Sequence, residues 1–115
     1  MIYNKEINGV KFSLVCESWC TRNCWGHRVI LYKNDTAKVG SITIPYNRTW
    51  EEYQYQSAIK GVIYNAIQEI KAVAKKAFLT LHNYQLLTKK RAAEFTEYLA
   101  KDLEYNTYKE LFEMF

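Results

Sequence analysis

The sequence predicts an α+β domain in which an antiparallel β-meander of about four strands precedes three helices. Short alternating or β-branched segments, separated by turn residues, fill positions 1–45. From position 49 to position 115, apolar residues recur at the three-and-four spacing of amphipathic helices. A chain of 115 residues that is 49% apolar and 24% charged has the length and composition of a single globular domain over 1–115.

Four strands are expected in the first 45 residues. Asn8-Gly9 predicts a tight hairpin turn, because both residues tolerate positive φ. Turn residues at 34–38 predict a second reversal, and Pro45, the only proline, ends the meander. The predicted strands are Ile2–Ile7, Val10–Cys16, Arg28–Lys33 and Val39–Ile44.

The helical part is predicted to begin with a capping box formed by Thr49 and Glu52. One long helix follows over about 50 to 80, and at ~1.5 Å per residue it is too long for a small sheet to cover. Part of it should therefore pack on other helices. Thr88 is the expected cap of a second helix that runs through Leu103, and Asn106 is the expected cap of a short third helix.

The C-terminus is too apolar to stay in water, so it must dock on the domain or lie in an interface. A homo-oligomer held by the last helix is one open alternative, with the contact residues Tyr108, Leu111, Phe112 and Phe115.

All three cysteines and one of the two histidines lie within twelve residues, between the second and third predicted strands. Three thiolates and an imidazole are the ligand set of a closed structural zinc site. A continuous helix would separate Cys16 from Cys24 by about 12 Å, so a looped segment is expected. The predicted ligands of a structural Zn²⁺ are Cys16, Cys20, Cys24 and His27, with His82 as the substitute fourth ligand.

Two alternatives to zinc remain open. In the first, Cys16 is a core residue of its strand and the other two cysteines are incidental thiols. In the second, two of the three cysteines form a disulfide. Trp19 and Trp25 flank the second and third cysteines. They are expected to shield the cluster from water, whereas exposed indoles would stack on nucleic-acid bases.

The net charge of +4 is distributed unevenly along the chain. Residues 1–48 and residues 49–91 each carry a net charge of +4, whereas residues 92–115 carry −4. The acidic residues predicted to bind a partner protein are Glu94, Glu97, Asp102 and Glu104. The basic residues that would instead bind nucleic acid are Lys71, Lys75, Lys89, Lys90 and Arg91. For both sets the ordinary alternative is a solvated helix face.

Catalysis and membrane insertion are not expected. The sequence has no His-Glu-x-x-His motif and no glycine-rich phosphate loop, and Glu17 does not stand in the His-x-Glu order of a zinc deaminase. A zinc ion with four protein ligands also has no vacant position for water. No apolar run approaches the ~18 residues that span a bilayer, and no signal peptide is visible, so a cytoplasmic protein is expected.

The chain resembles an accessory protein of a phage of low-GC Gram-positive bacteria. It is rich in Lys, Asn, Tyr and Ile and combines an antiparallel sheet with long helices. Within that group it is similar to the type II-A anti-CRISPR proteins, specifically a zinc-containing one, through Cys16, Cys20, Cys24 and His27. The resemblance implies an inhibitor that binds Cas9 by surface complementarity and keeps target DNA from being loaded or cut. These proteins share no binding motif, so the resemblance assigns no contact residue.

Overall fold

The computed structural model describes residues 1–45 and 50–115. The described chain forms one four-stranded antiparallel sheet, with its strands side by side in chain order, followed by three helices. The α+β class, the meander and the long first helix are therefore confirmed. The elements are β1 Ile2–Ile7, β2 Val10–Cys20, β3 Trp25–Lys33, β4 Ala37–Pro45, α1 Glu52–Leu81, α2 Lys89–Ala100 and α3 Leu103–Glu113.

Two tight turns hold the register of the meander. Asn8 and Gly9 have φ values of 51° and 79°, as expected for the hairpin between β1 and β2. Asn34 and Asp35 have φ values of 52° and 67° at the turn between β3 and β4. Asn and Asp tolerate this left-handed region better than other residues that carry a Cβ atom, so both turns form where the sequence predicts them.

The loop predicted to carry the cysteines is much shorter than expected. β2 continues four residues beyond its predicted end at Cys16, and Cys20 pairs with Trp25 at the start of β3. Beyond that pair, the Thr21 N–H donates to the Cys24 carbonyl at 2.7 Å. Only residues 21–24 therefore connect the two strands. Trp19 packs against its cross-strand partner Gly26, because its indole occupies the space that a Cβ atom at position 26 would need.

The main core lies between one face of the sheet and α1. Alternate residues of β2 point to this side, so that Phe12, Leu14 and Cys16 are all buried. Ile59 and Ile63 of α1, which lie one turn apart, are fully buried against them. The hydrophobic effect on these side chains fixes α1 across the sheet.

α3 completes this core and docks the apolar C-terminus. Tyr108 packs edge-on against Phe12 with ring centroids 5.1 Å apart, and Phe115 packs edge-on against Tyr3 at 5.6 Å. Leu111, which lies between Tyr108 and Phe115 in the sequence, is fully buried. The C-terminal apolar residues therefore dock within the domain, which is one of the two placements expected from the sequence.

Two predicted helix caps are wrong. The cap of α1 is Glu51, whose N–H donates to Gln54 Oε1 at 2.8 Å, and the predicted cap Thr49 lies outside the described residues. α3 is capped by Asp102, whose Oδ1 accepts the Tyr105 N–H at 3.0 Å. α3 therefore begins at Leu103, three residues before the predicted cap Asn106. An aspartate three residues ahead of a free amide outcompetes a later asparagine for this position. Thr88 occupies the N-cap position of α2 as predicted, without a capping hydrogen bond from its side chain.

The C-terminal half of α1 extends beyond the sheet and forms a second, smaller core with α2. Ala74 and Phe78 of α1 are buried against Phe95 and Leu99 of α2. The described chain accordingly measures 54 × 30 × 24 Å. The expectation that part of the long helix packs on other helices is confirmed. None of the helices in the described ranges combines the length and the hydropathy needed to cross a membrane.

Replacement of a core leucine tests the proposed packing. Leu31 of β3 is fully buried, so Leu31→Ala should lower the free energy of unfolding by about 2–5 kcal/mol, through lost burial and the cavity left behind. Leu86 is 61% exposed, so the matched control Leu86→Ala should change the free energy of unfolding by less than about 0.5 kcal/mol. Equal effects in chemical denaturation would contradict the assignment of the core.

Candidate functional site

Among the described residues, His27 is one of two buried polar residues. Only 4% of its surface is exposed. Its ring stacks on the Trp50 indole, with centroids 4.6 Å apart and planes 16° from parallel. Its Nδ1 atom lies 2.9 Å from the Tyr55 hydroxyl and 3.2 Å from the Ser18 hydroxyl. The two hydroxyls also lie 3.2 Å apart, so the three groups form a closed hydrogen-bonded triangle.

This triangle joins the end of the sheet to the beginning of α1. Ser18 and His27 are register partners on β2 and β3, and Tyr55 comes from the first turn of α1. Both hydroxyls meet the same ring nitrogen. The arrangement therefore supplies hydrogen-bond partners to Nδ1 of a buried imidazole.

The structure distributes the predicted cysteine ligands along the β2–β3 hairpin. Cys16 and Cys20 lie on the same face of β2 but four residues apart, which is about 13 Å at ~3.3 Å per residue. Cys24 is paired with Thr21, one position beyond the Cys20–Trp25 pair, so the register places it on the opposite face. The substitute ligand His82 caps the far end of α1, where its ring lies against Phe78 and Tyr84.

A tetrahedral zinc site needs four donor atoms that lie about 2.0–2.3 Å from the metal. Within residues 1–45 and 50–115, no three His, Cys, Asp or Glu side chains are grouped as metal ligands. Burial raises the pKa of the Cys16 thiol, and the nearby N-terminal ammonium partly opposes this. Zinc therefore remains a prediction from the sequence that this arrangement of side chains does not support.

The four predicted acidic residues lie together along one groove, which we call the acidic groove. It is bounded by Ala66 to His82 of α1 on one side and by residues 94–108 of α2 and α3 on the other. A cavity of about 340 Å³ at one end is lined by Asp102 and Glu104. A cavity of about 280 Å³ at the other end is lined by Glu94 and Glu97.

Two residues of the acidic groove were not identified from the sequence. Tyr98 lines both cavities, and Glu69 of α1 adds a fifth carboxylate. Helical spacing contains a signal for Tyr98, because it lies four residues after Glu94 and therefore on the same stripe of α2. Glu69 carries no comparable signal, because only the packing of α1 against α2 and α3 brings it to the groove.

The electrostatic environment of the acidic groove is negative. Burial and, second, the negative charge of Glu104 raise the pKa of Tyr108 to about 12. Among the described residues that line the two cavities, Lys101 is the only lysine or arginine. Asp102 is partly committed to capping α3, yet its side chain also lines the larger cavity.

The predicted nucleic-acid-binding residues occupy different positions from the acidic set. Lys75, Lys89 and Lys90 are exposed, whereas Lys71 is half-buried. The Arg91 guanidinium lies 3.4 Å from the centroid of the Tyr84 ring. This cation–π contact holds Arg91 against its own domain and reduces its freedom to contact a phosphate.

Comparisons of the chain with protein-family models, with curated proteins and with solved structures gave no match. The function therefore has to be inferred from the geometry and charge of the described residues.

Removal of the Tyr55 hydroxyl tests the buried triangle. Tyr55→Phe should lower the free energy of unfolding by about 1 kcal/mol, because the His27 imidazole loses its shortest hydrogen bond inside the protein. Tyr53→Phe is the matched control, since Tyr53 is 66% exposed and lies on the same turn of α1. Chemical denaturation in which both variants lose the same stability would argue against a structural role for the triangle.

Cys20→Ser distinguishes the observed arrangement from the predicted zinc site. The Cys20 side chain is exposed, so the substitution should change the free energy of unfolding by less than about 0.5 kcal/mol. Elemental analysis of the wild-type chain and of the variant provides the second readout. One zinc per wild-type chain that is lost in Cys20→Ser, together with a lower melting temperature, would establish the zinc prediction and overturn this arrangement.

Proposed function

We propose that this chain is a non-enzymatic inhibitor that binds Cas9, the function implied by its resemblance to type II-A anti-CRISPR proteins. The observation that supports this proposal is the position of Glu94, Glu97, Asp102 and Glu104 along one groove around Tyr98. Such an inhibitor would act in the cytoplasm of the bacterial host. The proposal does not require zinc.

The charge of the groove suits a partner that normally holds nucleic acid. Proteins bind the phosphate backbone with lysine and arginine, and the guide–target heteroduplex of Cas9 lies in a positively charged channel. A row of carboxylates is attracted to the same basic residues and accelerates encounter with them. Tyr98 adds an aromatic side chain, the type that most often anchors a protein interface. Occupation of the channel would keep target DNA from being loaded or cut.

Direct nucleic-acid binding is the alternative, and the exposure of Lys75, Lys89 and Lys90 is the observation that favours it. It ranks second because Arg91 is held against Tyr84. It would appear as DNA binding in a mobility-shift assay without Cas9, with an affinity that falls steeply as salt is raised.

A cleavage assay with purified guide-loaded Cas9 and a linear DNA target tests the proposal. The wild-type chain should inhibit cleavage, and the double variant Glu94→Gln/Glu97→Gln should require about fivefold more protein for the same inhibition, since each lost rim charge costs ~0.5 kcal/mol.

The matched control is Glu110→Gln/Glu113→Gln, which removes the same charge from exposed positions of α3 that do not line the groove. This control should inhibit as well as the wild-type chain does. Absence of inhibition and of Cas9 binding at saturating wild-type protein would refute the proposed function. Equal losses in both double variants would refute the assignment of the groove as its contact surface.

A further inference from the structure

We propose that the acidic groove binds a positively charged, amphipathic segment of the partner protein, which inserts a bulky apolar side chain into the larger cavity. The inference rests on the proposed function in one respect, because the segment is assigned to the protein that is inhibited. The occupant follows from the length of the groove, its apolar floor and the sign of its charge.

The two cavities lie next to each other along α1. Tyr98 lines both of them, and the contributing residues of α1 run without a long gap from Ala66 to His82. At ~1.5 Å per residue, this stretch of α1 is about 24 Å long. A groove of that length matches a helix of about 16 residues, so it can recognise a segment of a protein rather than a single side chain.

The floor of the larger cavity is apolar and open to solvent. Ile70, Val73, Ala74 and Ala77 line it from α1, and Val73 is 68% exposed. The cavity volume of about 340 Å³ lies at the lower end of the usual range for ligand pockets, so there is room for one or two large side chains. Exposed apolar surface of this kind, bordered by charged residues, is typical of an interaction site.

The border of the groove carries five carboxylates and one amine. Glu69, Asp102 and Glu104 surround the larger cavity, and Glu94 and Glu97 line the smaller one with Lys101. Lysine and arginine side chains of the occupant would meet these carboxylates. The Tyr98 ring also offers its face to a guanidinium. The same charge repels nucleic acid and anionic lipid, which leaves a basic protein segment as the occupant.

A fluorescence-polarisation assay with a defined probe tests this inference. The probe is a labelled peptide of about 16 residues composed only of leucine and lysine, with leucine at positions i, i+3, i+4 and i+7. The wild-type chain should bind it, and the affinity should weaken as salt is raised, because exposed ion pairs contribute to it. A scrambled peptide of the same composition should bind at least about tenfold more weakly, since it presents no continuous apolar face.

Two tryptophan variants of α1 separate the groove from general electrostatic attraction. Ala77 lines the larger cavity and is exposed, so Ala77→Trp should fill the cavity and weaken peptide binding at least about tenfold. Ala72 is also exposed on α1 but does not line the groove, so Ala72→Trp should bind the peptide as the wild-type chain does. Circular dichroism and melting temperature verify that both variants fold.

The inference is overturned if the wild-type chain does not bind the peptide, if the scrambled peptide binds equally well, or if both tryptophan variants behave alike. A concentration-dependent dimer of the wild-type chain that Ala77→Trp dissociates would also overturn it, because the occupant would then be a second copy. Selective peptide binding by a chain that fails to inhibit Cas9 would support the groove and refute the proposed function, so the two failures are distinguishable.

Discussion

The packing of α1 across one face of the sheet is the constraint on which the other features depend. Ile59 and Ile63 are fully buried against Leu14 and Leu31, and α3 closes the same core with Leu111. Because α1 has 30 residues, it is longer than the sheet, and its C-terminal half needs other partners. α2 covers part of that half and leaves the acidic groove along the remainder. The length of one helix therefore determines both the second core and the site proposed to bind a partner.

The opposite end of α1 is held by polar contacts. The extended hairpin of β2 and β3 brings Ser18 and His27 beneath Tyr55, and Trp50 covers the imidazole. A buried imidazole is costly unless its polar atoms are satisfied, and here two hydroxyls reach Nδ1. Hydrogen bonds are directional. Those between His27, Ser18 and Tyr55 therefore fix the position of the start of α1 on the sheet more precisely than apolar packing alone would. The orientation of α1, and hence the position of the groove at its far end, depends on both.

The charge distribution follows from the same architecture. Glu94, Glu97, Asp102 and Glu104 are close in sequence, but their common surface requires α2 and α3 to lie against α1, which contributes Glu69. The lysines of α1 and the basic residues at the start of α2 do not line the two cavities, and Lys101 at the end of α2 lines only the smaller one. A domain with a modest positive net charge can in this way present a strongly negative surface. This separation is the physical basis for proposing a basic protein partner.

Local patterns in the sequence determined the class of the fold. Asn8-Gly9, the alternating strands and the apolar period of residues 52–81 depend on short-range stereochemistry and amphipathicity, and all three appear in the structure. The sequence also contained part of the acidic groove, because helical spacing alone places Glu94, Glu97 and Tyr98 together on α2. The clustering of cysteines in sequence did not predict their positions in space. Continued pairing of β2 with β3 carried Cys20 about 13 Å from Cys16 and turned Cys24 to the other face. Only the tertiary structure decided this, and only it joined His27 to Tyr55 and Glu69 to Asp102, because these contacts depend on long-range packing that local pattern does not encode.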